Sequence, residues 1–279
     1  MAEDLGSDHE NVSTEDTFIL PPRARRIWKK SQGFVLPLIG ILLALAAWQL
    51  VIIVFDIKRF LLPPPSLVFA EFWEERELLR FHAQHTTVGF TAGFLLSVLV
   101  GIPVAVCLFS SRWLSGLFYP LIVGSQAVPK VALAPFFLVW VGIGYKSQIL
   151  IAFLIAVFPI LINTKTGLEA LPLDMYHLAR SMGAGPLRTF FRVRLPFALP
   201  MIWAGFRVSI TLAVVGAVVG EFVASNQGLG FLIAISTANV RTSLAFAALI
   251  LLSALAIVAY LIVEAAGFLL IPRSKNLQS

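Results

Sequence analysis

The chain has little charge, almost no sulfur and few of the residues that enzymes use for chemistry. Only 13% of its 279 residues are Asp, Glu, Lys or Arg, about half the share of an ordinary soluble domain, which excludes a cytosolic enzyme and a disordered chain alike. One cysteine, Cys107, lies inside an apolar run, so neither a disulfide framework nor a cysteine metal site can be built. There are four histidines: His9 in a polar tail, His82 and His85 in a charged segment, and His177 in a loop. His82 and His85 can share a helical face, but no third ligand accompanies them and no metal is expected. HExxH, GxSxG and GxxxxGK[ST] are all missing, so no zinc hydrolase, serine hydrolase or P-loop nucleotide chemistry is available. Work that needs ATP must draw it from a partner. No short apolar core with a small-residue cleavage site marks a signal peptide, and no internal repeat is visible.

What is present is hydrophobicity: 58% apolar residues and a mean hydropathy of +0.89. Gly33–Phe55 is uncharged for long enough to cross a hydrocarbon core of about 30 Å. Thr86–Ser111, Ser147–Thr164, Leu195–Gly220 with Arg207 inside it, and Thr242–Val263 read the same way. Trp113–Tyr145 is interrupted by Lys130 and carries Pro120, Pro129 and Pro135. It is expected to be one broken passage, with a helix near the interface before the spanning part. The fold expected is therefore an all-α integral membrane protein with six transmembrane helices and both termini on one side. Thirteen Lys and Arg fall on the side of the termini and the 165–195 loop against six on the other, which places the former in the cytoplasm. The division expected is a polar cytoplasmic tail over 1–32, a membrane domain over 33–273, and a short cytoplasmic tail over 274–279. Leu61–Ser66 is an extended, proline-braked stretch, and Leu67–Gln84 reads as a solvated helix outside the membrane.

The loop that follows the fourth run carries the most information. Two short helices separated by Gly183–Pro186 are expected over Leu173–Pro196, since glycine ends a helix and proline starts one. The first offers a narrow face of Met175, Leu178, Ala179 and Met182, suited to a groove in a partner; the second is basic through Arg188, Arg192 and Arg194. Resting on anionic lipid is the alternative use of such a loop. Polar residues at membrane depth are Lys130, Asn163, Arg207 and Glu221. Charges there face a cavity or one another, which makes Lys130, Asn163 and Glu221 candidates for the translocation path. Arg207, near the end of its run, reads as a snorkelling residue. Gly89-xxx-Gly93 and Gly216-xxx-Gly220 permit close helix approach, within one chain or between two.

Ala179, Gly183 and Val193-Arg194-Leu195-Pro196 carry a resemblance. Their spacing is similar to the EAA signature of binding-protein-dependent ABC importer permeases: Glu-Ala-Ala, three residues, Gly, nine residues, Ile-x-Leu-Pro. His177 and Leu178 stand where the signature has Glu and Ala. Leu62-Pro63-Pro64-Pro65-Ser66, Val128–Pro135, Phe158–Thr164 and Val219–Gly230 resemble segments of the branch that carries nitrate, taurine, sulfonates, bicarbonate and vitamin precursors, so that the resemblance covers about residues 34–272. It implies a type I importer permease in a bacterial inner membrane, with two permease chains per transporter, catalysing no reaction of its own and binding no cofactor. A cytoplasmic ABC ATPase dimer would bind the ATP, and an external substrate-binding protein would deliver a sulfonate, taurine or a vitamin precursor. The residues that would engage the ATPase are Ala179, Arg180, Gly183, Leu195 and Pro196. A stand-alone secondary transporter or channel, the competing reading, would need paired intramembrane charges or inverted repeats, and neither is evident in the sequence.

Overall fold

In hydrocarbon every backbone N–H and C=O must find its partner within the segment, so long apolar runs have the α-helix as their open-chain solution. The computed structural model describes residues 22–270, with side chains at Leu36 and from Ile39 onward, and those residues are all-helical. The chain divides into two units, 1–56 and 57–279. The first contains α1 (Pro22–Val54), which ends beside Asp56 at φ 45°. It begins well ahead of Gly33, so the expected boundary between tail and membrane domain falls inside a helix. The rest of the 1–32 tail, residues 1–21, and the closing residues 271–279 lie outside the described residues.

The second unit is organised around α6 (Tyr145–Glu169). On one side lies α3 (Arg76–Ser110), on another α9 (Leu195–Ala224). Glycine notches fix the registers. A Cβ built on Gly89 would strike the Gln148 side chain, one on Gly93 would lie 2.5 Å from the Ala152 Cβ, and one on Gly101 would lie 3.0 Å from Ile160. These partners advance together, so α3 and α6 run parallel. A Cβ on Gly205, Gly216 or Gly220 would come within 2.9 Å of Asn163, 2.7 Å of Ala152 or 2.8 Å of Gln148; one number falls as the other rises, so α9 is antiparallel to α6. Both small-xxx-small motifs therefore close on the same two residues of α6, within the chain. Pro159 interrupts the α6 ladder, and nearby carbonyls take bonds from neighbouring helices: Ser209 donates to Ala156 O (2.7 Å) and Ser97 to Phe153 O (3.2 Å).

Parallel α3 and α6 require the intervening residues to return across the bundle. They do so as α4 (Arg112–Gly124), the short turns Ser125–Ala127 and Lys130–Leu133, and α5 (Ala134–Val141), bent by 88° at the break. Tyr119 and Ile122 pack on Ala105, Leu108 and Leu161 at one end of the bundle. Gly144 N–H bonds Ala224 O (2.8 Å) at the other. Among the described residues four helices are long and apolar enough to cross a membrane, or five if the bent pair counts as one span.

Two sequence expectations change here. The charged Leu67–Gln84 segment is not one solvated helix. It splits at Glu75 into α2 (Pro65–Glu74) and the first turns of α3, and His82 and His85 are 6% and 4% exposed. The loop expected over 165–195 starts later, because α6 continues to Glu169. It contains α7 (Leu173–Ser181), but its basic second helix is no separate element. α8 (Pro186–Thr189) passes through a π turn at Phe190–Arg194 straight into α9, forming one helical passage Pro186–Ala224. Two more helices complete the unit: α10 (Leu229–Ala238) and α11 (Thr242–Leu270).

Candidate functional site

Polar chemistry gathers at the two ends of the α3–α6–α9 bundle. At the end where α9 stops, Glu221 is 0% exposed. Its carboxylate accepts hydrogen bonds from Gln148 Nε2 and from Gly230 N–H, both at 2.7 Å. The turn that brings Gly230 back requires Gly228 at φ 105°, where a Cβ would collide with the Glu221 carboxylate. The next backbone donors find α3: Gly228 N–H bonds His82 Nδ1 (3.0 Å) and Leu229 N–H bonds Thr86 Oγ1 (2.8 Å). Three donors at the start of α10, which a free helix leaves unpaired, are thus taken by side chains of α3 and α9. His85 stacks on Tyr145 at 3.8 Å between ring centres and stands 4.0 Å from Glu221. A clasp reinforces the same end: Arg241 bonds Glu71 (2.6 Å) and Glu75 (2.7 Å), and Thr242 donates to Phe60 O (2.6 Å). The two carboxylates, Glu75 foremost, hold the Arg241 pKa above its ordinary value.

The opposite end presents α7. None of its residues is buried, and Leu173, Leu178 and Met182 are 72%, 64% and 80% exposed. Ala179 is half-buried and Arg180 is exposed, its Nη1 donating to Ala184 O (3.1 Å). The helix closes with Ala184 N–H on Ala179 O (3.1 Å) and Gly183 N–H on Arg180 O (3.0 Å), the paired bonds of a Schellman turn. Gly183 takes φ 81° there, with open space around it; backbone conformation, not crowding within the chain, is what calls for glycine. Leu195 packs against Leu168, Ala198 and Ile202, while Pro196 is exposed in the first turn of α9. Of the five residues read from the sequence as one contact set, Leu195 faces the bundle and Ala179, Arg180 and Gly183 belong to α7 and its cap.

The three path candidates do not meet. Lys130 Nζ lies 4.5 Å from the centre of the Phe158 ring, half-way along α6. Asn163, one turn on, donates to Pro159 O (2.8 Å) and lines the close crossing with Gly205. Glu221 sits beside Gln148, roughly 22 Å further back along α6 at 1.5 Å per residue. Arg207 is not merely snorkelling: it forms an ion pair with Glu264 of α11 (2.9 Å), and Trp203 donates to Val263 O (2.7 Å) beside it. Paired charge within the helices, which the sequence did not reveal, is therefore present. Gln148, Thr86 and Glu264 are the contributors that sequence reading missed; of these, only the Thr86 spacing from His82 on one helix face offered a local signal.

Residues 97–276 match the family described as binding-protein-dependent transport system inner membrane component. A probable ABC transporter permease protein of Haemophilus influenzae is 36% identical over 81% of this chain and 92% of its own. The riboflavin transport system permease protein RibX of Chloroflexus aurantiacus is 35% identical over 86% of this chain and 91% of its own. A chain of the inward-facing MetNI methionine ABC transporter has a similar fold, with a TM-score of 0.56 and 22% identity over 69% of this chain and 97% of that one.

Proposed function

The chain belongs to the binding-protein-dependent transport system inner membrane component family and is a multi-pass permease subunit of an ABC importer for a small solute; on that premise we propose that α7 is the element that a cytoplasmic ATPase grips. The observation that carries this is the exposure of α7: a short helix with apolar side chains turned outward and a glycine-capped end, at one extremity of an otherwise packed bundle. In this arrangement Ala179, Arg180 and Gly183 lie in a cleft of the ATPase, and Leu195 and Pro196 anchor the start of the helix that follows. ATP hydrolysis belongs to the ATPase dimer. Closure of the dimer moves α7, and the bundle exchanges an inward-open for an outward-open path.

Two permease copies frame that path, each with six passages: α1, the five of the second unit, and both termini in the cytoplasm, as the excess of Lys and Arg on that side favours. Lys130 over Phe158 and Asn163 at the α6–α9 crossing are the path residues. Glu221 acts at the far end as the hinge of an external gate, since it is buried against α10 and does not face open space. A substrate-binding protein delivers the solute there. The solute is a small organic one, a sulfonate or taurine or a vitamin precursor, and the riboflavin relative supports the last of these.

The test is a mild-detergent purification of the tagged chain from its native membrane, with mass spectrometry of what accompanies it. An ATPase that co-purifies with the wild type and is lost from Gly183→Asp supports the reading. Recovery of the chain alone, with solute flux in ATP-free vesicles, overturns it.

A further inference from the structure

Arg194 closes the π turn between α8 and α9, and its side chain reaches three elements that the sequence keeps far apart. Its Nη1 donates to Leu168 O (2.8 Å), one of the last carbonyls of α6 and without a partner in that helix's own ladder. Its Cζ lies 4.7 Å from the centre of the Phe109 ring, next to the last residue of α3, and 5.6 Å from the centre of the Tyr176 ring on α7. Because α3 and α6 run parallel, both present their negative C-terminal ends to this one cation. Arg194 lines a groove together with Val106, Phe109, Tyr176, Leu187, Phe190 and Phe191, and its contact with Tyr176 links α7 to the start of α9 there.

We propose that Arg194 is the positioning residue that transmits movement of α7 to the ends of α3 and α6, so that ATPase closure becomes a change in the path. This rests on the reading of α7 as the ATPase contact. The chemistry favours arginine for the task. A planar guanidinium can stack on two aromatic faces while its edge donates to a carbonyl, whereas an ammonium is a point charge that can do only part of this. The π turn ends at this residue, and such turns recur at functional positions.

The experiment is ATP hydrolysis by the purified complex in proteoliposomes, with and without its co-purified binding protein, for wild type, Arg194→Ala, Arg194→Lys, Tyr176→Ala and the double substitution Arg194→Ala with Tyr176→Ala. Arg194→Ala is expected to keep the ATPase bound and its basal rate, while stimulation by the binding protein falls about tenfold, a usual size for coupling between sites. Arg194→Lys keeps charge and the Leu168 bond and falls in between. Tyr176→Ala leaves the α6 end capped and still loses stimulation, and the double substitution is no worse than either alone. Wild-type stimulation in Arg194→Ala and Tyr176→Ala overturns the proposal. So does loss of the ATPase from Arg194→Ala, which would make the residue part of assembly. Retention of the ATPase by Gly183→Asp is the separate result that would fell the reading of α7 itself.

Discussion

Helices α7 and α10 are nearly the same length and stand at opposite ends of one bundle, yet they are held in opposite ways. The first three donors of α10 are bound by His82, Thr86 and Glu221, and its Leu229 and Leu232 are 0% and 3% exposed. α7 starts at Pro172 with no side-chain cap and turns Leu178 and Met182 outward. Both close with the same pair of backbone bonds, at Gly183 in α7 and at Val240, φ 60°, in α10. The difference teaches where each gets its place: α10 is held by its own chain, whereas the exposed face of α7 fits the proposal that a partner grips it. A protein that must pass force from a separate subunit needs one end closed within itself and the other open to be grasped.

The most drastic way to break the comparison is at the open end. Gly183→Asp puts a side chain at φ 81° and a carboxylate on the exposed turn; uptake is expected to vanish while membrane insertion, read by immunoblot of isolated membranes, stays normal. At the closed end, Glu221→Ala leaves the Gln148 amide and the Gly230 N–H unpaired in a fully buried position, which costs about 3 kcal/mol. The thermal unfolding midpoint in detergent should fall sharply with the ATPase still attached; an unchanged midpoint would mean that Glu221 does not latch α10. Between the ends, Gly216→Val drives a Cβ toward the Ala152 backbone at 2.7 Å and must spread α6 from α9, at about 2 kcal/mol, measurable in the same melt. The mirror of the first change runs the other way. Val240→Gly relieves a branched residue at positive φ, and stability should rise by about 1 kcal/mol. Smallest is Arg241→Ala: its pairs with Glu71 and Glu75 are half in solvent, so the loss is under about 1 kcal/mol and shrinks with added salt.

Much of this was legible because bilayers punish irregular backbone: long apolar runs announce helices, and Pro129 and the change of direction it brings announced the broken passage. α7 and its end were legible from Gly183 and Pro186, which act locally. What stayed hidden was settled over distance. His82 and His85 sit among Arg76, Arg80 and Glu77 and read as solvated; their burial depends on a turn 146 residues further on for His82. Arg207 looked solitary because Glu264 is 57 positions away. The glycine pairs signalled close approach but not its target, and both turned out to clamp Gln148 and Ala152 of a single helix. The fusion of α8 with α9 left no mark, since a π turn needs no special residue to announce it.

Site-specific photo-cross-linking in the native membrane tests the central claim most directly, with a photoreactive residue at Met182 on the exposed end of α7 or at Gln227 in the turn before α10. The account predicts a cross-link to an ATPase subunit from position 182 and none from 227. An ATPase cross-linked from 227, or from neither position while it co-purifies with the chain, would contradict it.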